Sequence, residues 1–285
     1  MDVLAGPIER SGTYVLEFGD LYLAVDADGG KVVEFKRAGG ANVFTTSAVH
    51  ETNFGSTLWT APQVDWDWPP VPEVDSEPYT VTVDEAAGTI TMVSMGTPSV
   101  GPNVTVTKVF TANPCDATVD ISYSIQNSAA AAASFSAWEV TRVVPGGLSF
   151  WGAEEGLIGE SVLPAEYQTD TYWFDHVVDT TGGRKLFSEG SGGYIAFTQG
   201  TDLFVKAFSD VPSTAHPPDH GEVEVYEDEN DGYVELEVVG SYGSIAAGSS
   251  ATLEMRWYLR PMPDGATRAV GDAALKAAVL ALIAP

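Results

Sequence analysis

Short runs of alternating apolar and polar residues recur along the chain, and they constrain its fold more than any other feature. Alternate side chains of a β-strand face opposite sides of a sheet, so each run that is bounded by glycine or other turn residues predicts a strand. The runs cover residues 14–18, 21–26, 31–35, 79–83, 89–93, 103–110, 118–126, 135–144, 193–198, 203–208, 222–226, 233–239 and 251–259. The sequence therefore predicts an all-β fold with some thirteen or more strands, joined in several places by hairpin turns.

One helix is predicted, at the C-terminal end. Asp272 can cap residues 273–283, and Leu275, Val279 and Leu282 then fall on one face of the helix. We expect this face to pack on a sheet. The predicted organisation is a single β domain over residues 1–265, with residues 266–285 forming a helical segment packed on it.

Composition excludes several classes of partner. The 285 residues are 44% hydrophobic and carry a net charge of -27, which permits a large core and disfavours nucleic acid and anionic membranes as partners. No stretch approaches the roughly 18 apolar residues that a membrane span needs. Cys115 is the single cysteine, so neither an intrachain disulfide nor a cysteine metal cluster can form. We predict no bound metal and no cofactor.

The segment Leu58-Trp-Thr-Ala-Pro-Gln-Val-Asp-Trp-Asp-Trp-Pro-Pro70 contains three of the seven tryptophans. Its prolines disfavour helix, so Trp59, Trp66 and Trp68 are predicted on a loop or a strand edge. Flat aromatic rings beside polar groups such as Gln63 suit the apolar faces and hydroxyl groups of a sugar ring. The segment predicts a saccharide site, and a buried tryptophan corner without a ligand is the alternative.

Two glutamates in the run 233–239 are candidates for catalysis. Glu235 and Glu237 are two positions apart on a predicted strand and therefore share one face. If that face lines a pocket, crowding raises the pKa of one carboxyl group and leaves a general base beside an acid. The solvated outer face of a sheet would show the same alternation.

The run Trp138-Glu-Val-Thr-Arg142 places Trp138 and Arg142 on one strand face and Glu139 on the other. An arginine beside a tryptophan can orient a sugar carboxylate or hydroxyl through its planar fork, and a structural ion pair is equally compatible. Among the four histidines, His176 is the best candidate for a site role because aromatic and acidic residues flank it. A structural role is its alternative.

Other motifs point away from common chemistries. Neither a Gly-x-Ser-x-Gly elbow nor a phosphate-binding glycine loop occurs in a strand-to-helix context, which disfavours hydrolase triads and nucleotide chemistry. The segment Glu227-Asp-Glu-Asn-Asp-Gly232 invites comparison with a calcium loop, but Val238 stands where the closing carboxylate is required. We interpret it as an acidic hairpin turn, with an irregular cation site as the alternative.

Several segments together resemble the galactose mutarotase-like superfamily, and most closely an uncharacterised bacterial family within it. The resemblance spans most of the chain and depends on Phe54-Gly-Ser-Thr-Leu-Trp-Thr-Ala-Pro-Gln63, Trp68-Pro-Pro70, Trp138-Glu-Val-Thr-Arg142, Val223-Glu-Val-Tyr226, Tyr233-Val-Glu-Leu-Glu237 and Arg256-Trp-Tyr-Leu-Arg-Pro261. It implies a large antiparallel β-supersandwich whose concave face holds a saccharide.

The resemblance also implies a chemistry, which this chain matches only in part. In aldose 1-epimerases a late-strand glutamate accepts the proton of the anomeric hydroxyl and a histidine protonates the ring oxygen. Glu237 resembles that glutamate, with Glu235 next. The histidine motifs are replaced by Asn53-Phe-Gly-Ser56 and Trp138-Glu139. Mutarotation then lacks its imidazole acid, a group that contributes about 10²- to 10⁴-fold, unless His176 or a protonated Glu139 replaces it.

The sequence therefore predicts a saccharide-binding protein. The predicted binding residues are Asn53, Trp59, Gln63, Trp66, Trp68, Glu139 and Arg142, and the predicted catalytic residues are Glu235, Glu237 and His176. Epimerase-like acid/base chemistry, a non-catalytic glycan-binding or accessory module of a polysaccharide-utilisation system, and a structural protein without a small ligand remain open. A saccharide ligand favours a periplasmic or secreted location, which requires a leader that the start Met-Asp-Val-Leu does not supply; a cytoplasmic location stays open.

Overall fold

The computed structural model describes residues 5–159, 161–176, 184–230 and 232–284. Within them, two antiparallel sheets contain the strands β1 (Ala5–Arg10), β2 (Thr13–Phe18), β3 (Leu21–Asp26), β4 (Val32–Arg37), β5 (Ser56–Ala61), β6 (Tyr79–Asp84), β7 (Thr89–Ser94), β8 (Val104–Asn113), β9 (Thr118–Asn127), β10 (Ala133–Val143), β11 (Leu148–Gly152), β12 (Leu157–Ile158), β13 (Glu166–Tyr167), β14 (Thr171–Asp175), β15 (Arg184–Ser188), β16 (Tyr194–Gln199), β17 (Asp202–Phe208), β18 (Val223–Glu227), β19 (Val234–Val239), β20 (Gly243–Ile245) and β21 (Ser250–Pro261). The helices are α1 (Pro72–Asp75) and α2 (Ala273–Ile283), with 3-10 turns at Gln63–Asp65 and Ser213–Ala215. Each of the thirteen predicted strands is observed, and the all-β prediction is confirmed.

The first sheet has the strand order β1-β2-β3-β4-β5-β10-β19-β18-β15-β12, and β20 also pairs with β10. The second sheet has the order β13-β14-β11-β16-β17-β21-β9-β8-β7-β6. In both sheets, therefore, some neighbouring strands lie far apart in the chain, such as β5 and β10 in the first sheet and β9 and β21 in the second. This topology brings β5, β10, β19, β18 and β15 side by side, and these five strands carry the candidate site.

Strand β5 corrects one prediction. Trp59 was expected on a loop or strand edge, but it lies in β5, which passes through the middle of the first sheet beside β10. All six residues of β5 are buried because both faces of the strand are covered, so the alternation that marks a half-exposed strand is missing. Pro62 follows the strand and does not interrupt its hydrogen bonds.

The main core lies between the two sheets. Phe35 and Phe44 from the first-sheet side contact Trp257 of β21, with ring centroids 5.9 and 5.7 Å apart. Phe204 of β17 packs on the same indole at 5.3 Å. Full burial of each large apolar side chain stabilises the fold by about 1.5–3 kcal/mol, so these ring contacts hold the two sheets together.

Helix α2 is observed where the sequence predicts it. Asp272 Oδ1 accepts hydrogen bonds from the backbone N–H groups of Ala274 and Leu275, at 3.0 and 2.9 Å. Leu275 and Val279 are fully buried among side chains of the second sheet that face away from the first sheet. The division of the chain at residue 265 stays a prediction. No described helix combines the length and apolar character that a membrane crossing requires.

Candidate functional site

The outer face of the first sheet, turned away from the second sheet, carries an aromatic and charged floor. Alternate residues of five neighbouring strands contribute to it, because side chains at every second position share a face. Antiparallel pairing sets these residues opposite each other across the strands: Trp59 and Trp138, Arg142 and Glu235, Glu237 and Glu224, Tyr226 and Lys185.

Three hollows lie over this floor and form the cleft. The middle hollow, of about 330 Å³, has among its lining residues Asn53, Gln63, Trp68, Lys185, Tyr233 and Glu235. The large hollow, of about 730 Å³, has among its lining residues Asp26, Lys31, Glu51, Asp75 and Asp228. The small hollow, of about 190 Å³, has among its lining residues Val64, Phe187, Pro218, His220 and Glu224.

Four indoles pack edge to face or at a tilt beside the middle hollow. The ring of Trp59 lies 5.2 Å from Trp138, 5.9 Å from Trp66 and 6.0 Å from Trp68, measured between centroids. Trp66 donates its N–H to Thr60 O at 2.8 Å and is buried, as are Trp59 and Trp138. Trp68 is 52% exposed. The buried indoles form an apolar bed, and Trp68 alone of these four offers an open ring to the cleft.

Lys185 is the charged centre of the floor. Its Nζ lies 2.7 Å from both carboxylate oxygens of Glu237 and 2.7 Å from Oε2 of Glu224. The same ammonium lies 4.9 Å from the centroid of the Trp138 ring, and Trp138 Nε1 donates to Glu237 Oε2 at 2.6 Å. The lysine side chain is 24% exposed, so this cluster reaches the cleft through Lys185 while both glutamates stay buried.

The two glutamates of this cluster titrate in opposite directions. Burial and the neighbouring Glu224 and Glu235 raise the pKa of Glu237 to about 8, against the opposing charge of Lys185. Burial also disfavours ionisation of Glu224, but Lys185 and His220 outweigh it and hold the pKa of Glu224 at about 2. Glu224, and not Glu237, carries the negative charge, because Glu224 Oε1 also accepts a hydrogen bond from the Gly221 N–H at 3.0 Å. At neutral pH the cluster therefore keeps a proton on Glu237.

His220 connects this cluster to the tryptophan segment. Its Nδ1 lies 2.8 Å from Glu224 Oε1, and its Nε2 accepts from the Gln63 backbone N–H at 3.3 Å. The second contact requires the proton on Nδ1, which then donates to Glu224. The imidazole also packs edge to face on Trp138 at 4.8 Å. His220 thus fixes the loop after Pro62 above the floor.

Arg142 and Glu235 form a buried ion pair beside the middle hollow. Arg142 Nε donates to Glu235 Oε1 at 2.8 Å, and the guanidinium lies 5.1 Å from the Trp59 ring and 5.8 Å from the Tyr233 ring. Glu235 lines the hollow, and among the hydrogen bonds of the described residues its Oε2 has none. The carboxylate is therefore oriented through one oxygen and open at the other.

Asp75 lines the large hollow and anchors Trp59. Its Oδ1 accepts from the Trp59 indole N–H at 2.8 Å and from Thr57 Oγ1 at 3.0 Å, and its Oδ2 lies 3.6 Å from Lys31 Nζ. Burial alone would raise the pKa of Asp75, but Lys31 and Arg142 outweigh it and lower that pKa. The ionised aspartate holds Trp59 in place at the border between two hollows.

The structure brings most of the predicted site residues together. Asn53, Trp59, Gln63, Trp68 and Glu235 line the middle hollow. Three of the remaining five lie around it: Arg142 bonds Glu235, Glu237 lies under Lys185, and Trp66 packs behind Trp59.

Glu139 is not part of the cleft, which corrects its predicted binding role. It points into the space between the sheets, where Oε1 accepts from Ser56 Oγ at 2.7 Å and from Thr141 Oγ1. Lys206 of the second sheet lies 2.5 Å from Glu139 Oε2. Glu139 is one residue out of phase with Trp138 on β10, so the same strand sends one side chain to the cleft and the next to the core.

His176 is also outside the cleft, which corrects its predicted catalytic position. It directly follows β14 of the second sheet, is buried between Phe174 and Phe197, and shares a hydrogen bond of 2.7 Å with Ser149 Oγ. Burial lowers the pKa of His176 to about 3, so the ring is neutral at ordinary pH. Its surroundings are those of a core histidine.

Sequence reasoning missed Lys185, Glu224 and His220. Glu224 had a detectable signal, because Glu222 and Glu224 alternate on a predicted strand as Glu235 and Glu237 do. Lys185 had none, since Glu224 and Glu237 lie far from it in the chain, and for His220 only the nearby Glu224 could have been noticed, since its other partner, Gln63, is distant. Among the described residues, no group of three or more His, Cys, Asp or Glu is placed to hold a metal ion.

Comparisons with known proteins agree with the fold. No protein-family model and no curated protein sequence matches the chain. A galactose mutarotase-like protein from Lactobacillus casei matches in structure with a TM-score of 0.63 at 10% identity, covering 87% of this chain and 100% of that one. A proposed aldose 1-epimerase from Escherichia coli K12 gives 0.60 at 14% identity, with 87% and 99% covered. A galactose mutarotase-like protein from Clostridium acetobutylicum gives 0.59 at 11% identity, with 91% and 99% covered.

These similarities identify the architecture. The chain has the galactose mutarotase-like fold, and the predicted resemblance to that superfamily is confirmed at the level of the fold. At such low identities the likeness carries no residue roles, so function has to be argued from the cleft itself.

Proposed function

We propose that the protein binds a saccharide in the cleft over the first sheet, with the middle hollow as the principal site. One observation carries this proposal: the half-exposed ring of Trp68 borders a hollow whose other walls present the amide of Asn53, the side chain of Gln63 and the open carboxylate oxygen of Glu235. An aromatic face packs on the C–H groups of a sugar ring, while amide and carboxylate groups bond its hydroxyls. The names of the structural neighbours, which include galactose mutarotase-like proteins, support the same ligand class.

The site is held in shape before a ligand arrives. The Arg142 pair orients Glu235, and Asn53 Nδ2 donates to the Tyr233 hydroxyl at 3.1 Å. Groups positioned by other contacts lose little conformational freedom on binding, which favours affinity. An acidic floor also suits an uncharged polyhydroxy ligand, because carboxylates accept hydrogen bonds from hydroxyl groups.

Acid/base chemistry at a sugar carbon is the second candidate, and one observation favours it. Glu235 presents a free carboxylate oxygen to the middle hollow, as a general base must. Glu237 does not, because Lys185 and Trp138 occupy its oxygens. If the protein is catalytic, the base is therefore Glu235.

Isothermal titration calorimetry against a panel of neutral monosaccharides and oligosaccharides tests the binding proposal. The Trp68→Ala variant should lose at least about tenfold in affinity. The Met95→Ala variant removes an exposed apolar side chain elsewhere on the surface and should bind like the unaltered protein. Absence of any saccharide ligand, or equal losses in both variants, would contradict the proposal.

A mutarotation assay by polarimetry separates binding from catalysis. An enzyme that uses Glu235 should lose about 10²- to 10⁴-fold in rate on the Glu235→Gln substitution while its affinity changes by less than about tenfold. A binding protein shows no rate to lose.

A saccharide ligand also favours a periplasmic or secreted location, which stays a prediction and is checked by fractionating the cells that produce the protein.

A further inference from the structure

The three hollows lie next to one another, because neighbouring hollows share lining residues. The large and middle hollows share Asn53, Trp68, Tyr226 and Tyr233, and the middle and small hollows share Gln63, Trp138 and Lys185. We propose that the cleft binds a neutral oligosaccharide, with successive sugar units in successive hollows. This inference rests on the proposed saccharide function and specifies its ligand.

Strand β18 gives the direction of the cleft. Glu224 lines the small hollow, Tyr226 lines the middle and large hollows, and Asp228, just beyond the strand, lines the large hollow. Because a strand advances by about 3.3 Å per residue, Glu224 and Asp228 lie roughly 13 Å apart along the chain direction. The cleft thus follows the strand over a length greater than one sugar ring.

The volumes lead to the same conclusion. The middle hollow of about 330 Å³ and the large hollow of about 730 Å³ each fall within the roughly 300–1,000 Å³ typical of small-molecule sites. A single pyranose in the middle hollow would leave the hollows on both sides empty. A chain of sugar units would occupy all three.

The loop above the floor offers apolar contacts at two separate places. Val64 is 77% exposed and lines the small hollow, while Trp68 on the same loop lines the middle and large hollows. Exposed apolar side chains that line a cleft provide packing surfaces for a ligand. Two such surfaces, one at each end of the loop, fit a ligand that extends along it.

The charges of the cleft select against acidic sugars. Asp26, Asp28, Glu51, Asp228 and Glu229 line the large hollow, and the net charge of the chain is -27. Lys31 lines the same hollow, but its ammonium is buried and is directed toward Asp75 and the carbonyl of Thr52. A uronate or sulfated glycan would bring further negative charge into this field, so a neutral chain is favoured.

Calorimetry with oligosaccharide ladders tests this inference. The probes are one to six units of β-1,4-linked glucose and mannose and of α-1,4-linked glucose and galactose, with α-1,4-linked oligogalacturonates as the anionic series matched to the galactose oligomers. In one neutral series the affinity should rise by about tenfold or more between one and four units, because added units contact further hollows without a second loss of free translation. The oligogalacturonates should bind more weakly than the matching neutral galactose oligomers.

Two variants locate the added contacts. Val64→Ala should reduce the increase in affinity with oligosaccharide length several-fold. It should leave monosaccharide affinity unchanged, since Val64 does not line the middle hollow. Ile8→Ala, an exposed apolar side chain on β1 at the far edge of the first sheet, is the control. Monosaccharide binding without any gain over the ladders would overturn this inference and leave the proposed function intact. Absence of binding by every probe, monosaccharides included, would overturn both, and preferential binding of oligogalacturonates would overturn the choice of a neutral ligand.

Discussion

Lys185 and Glu237 make a bidentate contact in which the lysine ammonium lies 2.7 Å from each oxygen of the carboxyl group. The same lysine is also 2.7 Å from Glu224, so a single cation serves two buried carboxylates. Two full negative charges beside one positive charge are unfavourable where solvent is excluded. The proton that Glu237 keeps is the consequence, and it makes the stability of the protein depend on pH.

The first prediction concerns this dependence. The folded-state pKa of Glu237, about 8, lies above the ordinary 4.5, so the folded protein holds this proton more tightly than the unfolded chain. The contribution of this bound proton to the free energy of unfolding is fully present below pH 4.5 and is lost as the pH rises toward 8. The Glu237→Gln variant should therefore show a shallower fall in the free energy of unfolding between pH 5 and 8, measured by urea denaturation. Glu9→Gln, on the surface of β1, should keep the original slope, and identical slopes in all three proteins would contradict the prediction.

The second prediction concerns the ion pair between the sheets. Lys206→Met leaves Glu139 buried without its counter-charge and should lower the free energy of unfolding by about 3–5 kcal/mol. The double variant Glu139→Leu with Lys206→Met removes both charges and should recover most of that loss. Denaturant titration measures both, and a loss below about 1 kcal/mol in the single variant would show that the pair is unimportant.

The third prediction separates two tryptophans of one segment. Trp66→Ala should destabilise the protein by about 3–5 kcal/mol, because a buried indole and its hydrogen bond to Thr60 are lost. Trp68→Ala removes a half-exposed ring and should cost less than about 1 kcal/mol. Thermal and urea unfolding report the difference. Equal destabilisation by both changes would mean that Trp68 supports the fold and is not free for a ligand.

The fourth prediction is that His176 contributes to the loss of stability of the protein at acidic pH. Its folded-state pKa of about 3 lies below the ordinary 6.5, so the unfolded chain binds the proton more tightly and stability is lost as the pH falls from 6.5 toward 3. His176→Phe should flatten this loss and leave saccharide affinity unchanged. At neutral pH it should cost about 1–3 kcal/mol, since Ser149 loses its partner. Adding Ser149→Ala should recover part of the lost free energy of unfolding. A change in saccharide affinity would instead indicate that His176 takes part in binding and would contradict this prediction.

Strand positions and the terminal helix were predictable because their signal is local. The alternation around Glu235 and Glu237 places both on one face, and the structure has them on the same side of β19. Asp272 and the apolar positions after it define α2 in the same way. Strand β5 was missed because full burial on both faces removes the alternation.

The site was predictable only in part, for a different physical reason. Trp59, Trp68 and Gln63 lie within one segment, so their proximity follows from the sequence itself. Lys185 meets Glu237 through strand pairing across β18, a relationship that depends on the sheet order. Glu139 lies outside the cleft because alternate residues of β10 face opposite sides of the sheet. Which of the two sides faces the core depends on where the second sheet packs, and the sequence of β10 does not contain that information.

The anchoring of Trp66 under the loop that carries Val64 and Trp68 has a consequence for how this surface can change. One indole is secured by the sheet, while Val64 is 77% exposed and Trp68, 52% exposed, packs on Trp59 at 6.0 Å. Replacements at those two positions should therefore change the proposed contacts with a ligand while the scaffold keeps most of its stability.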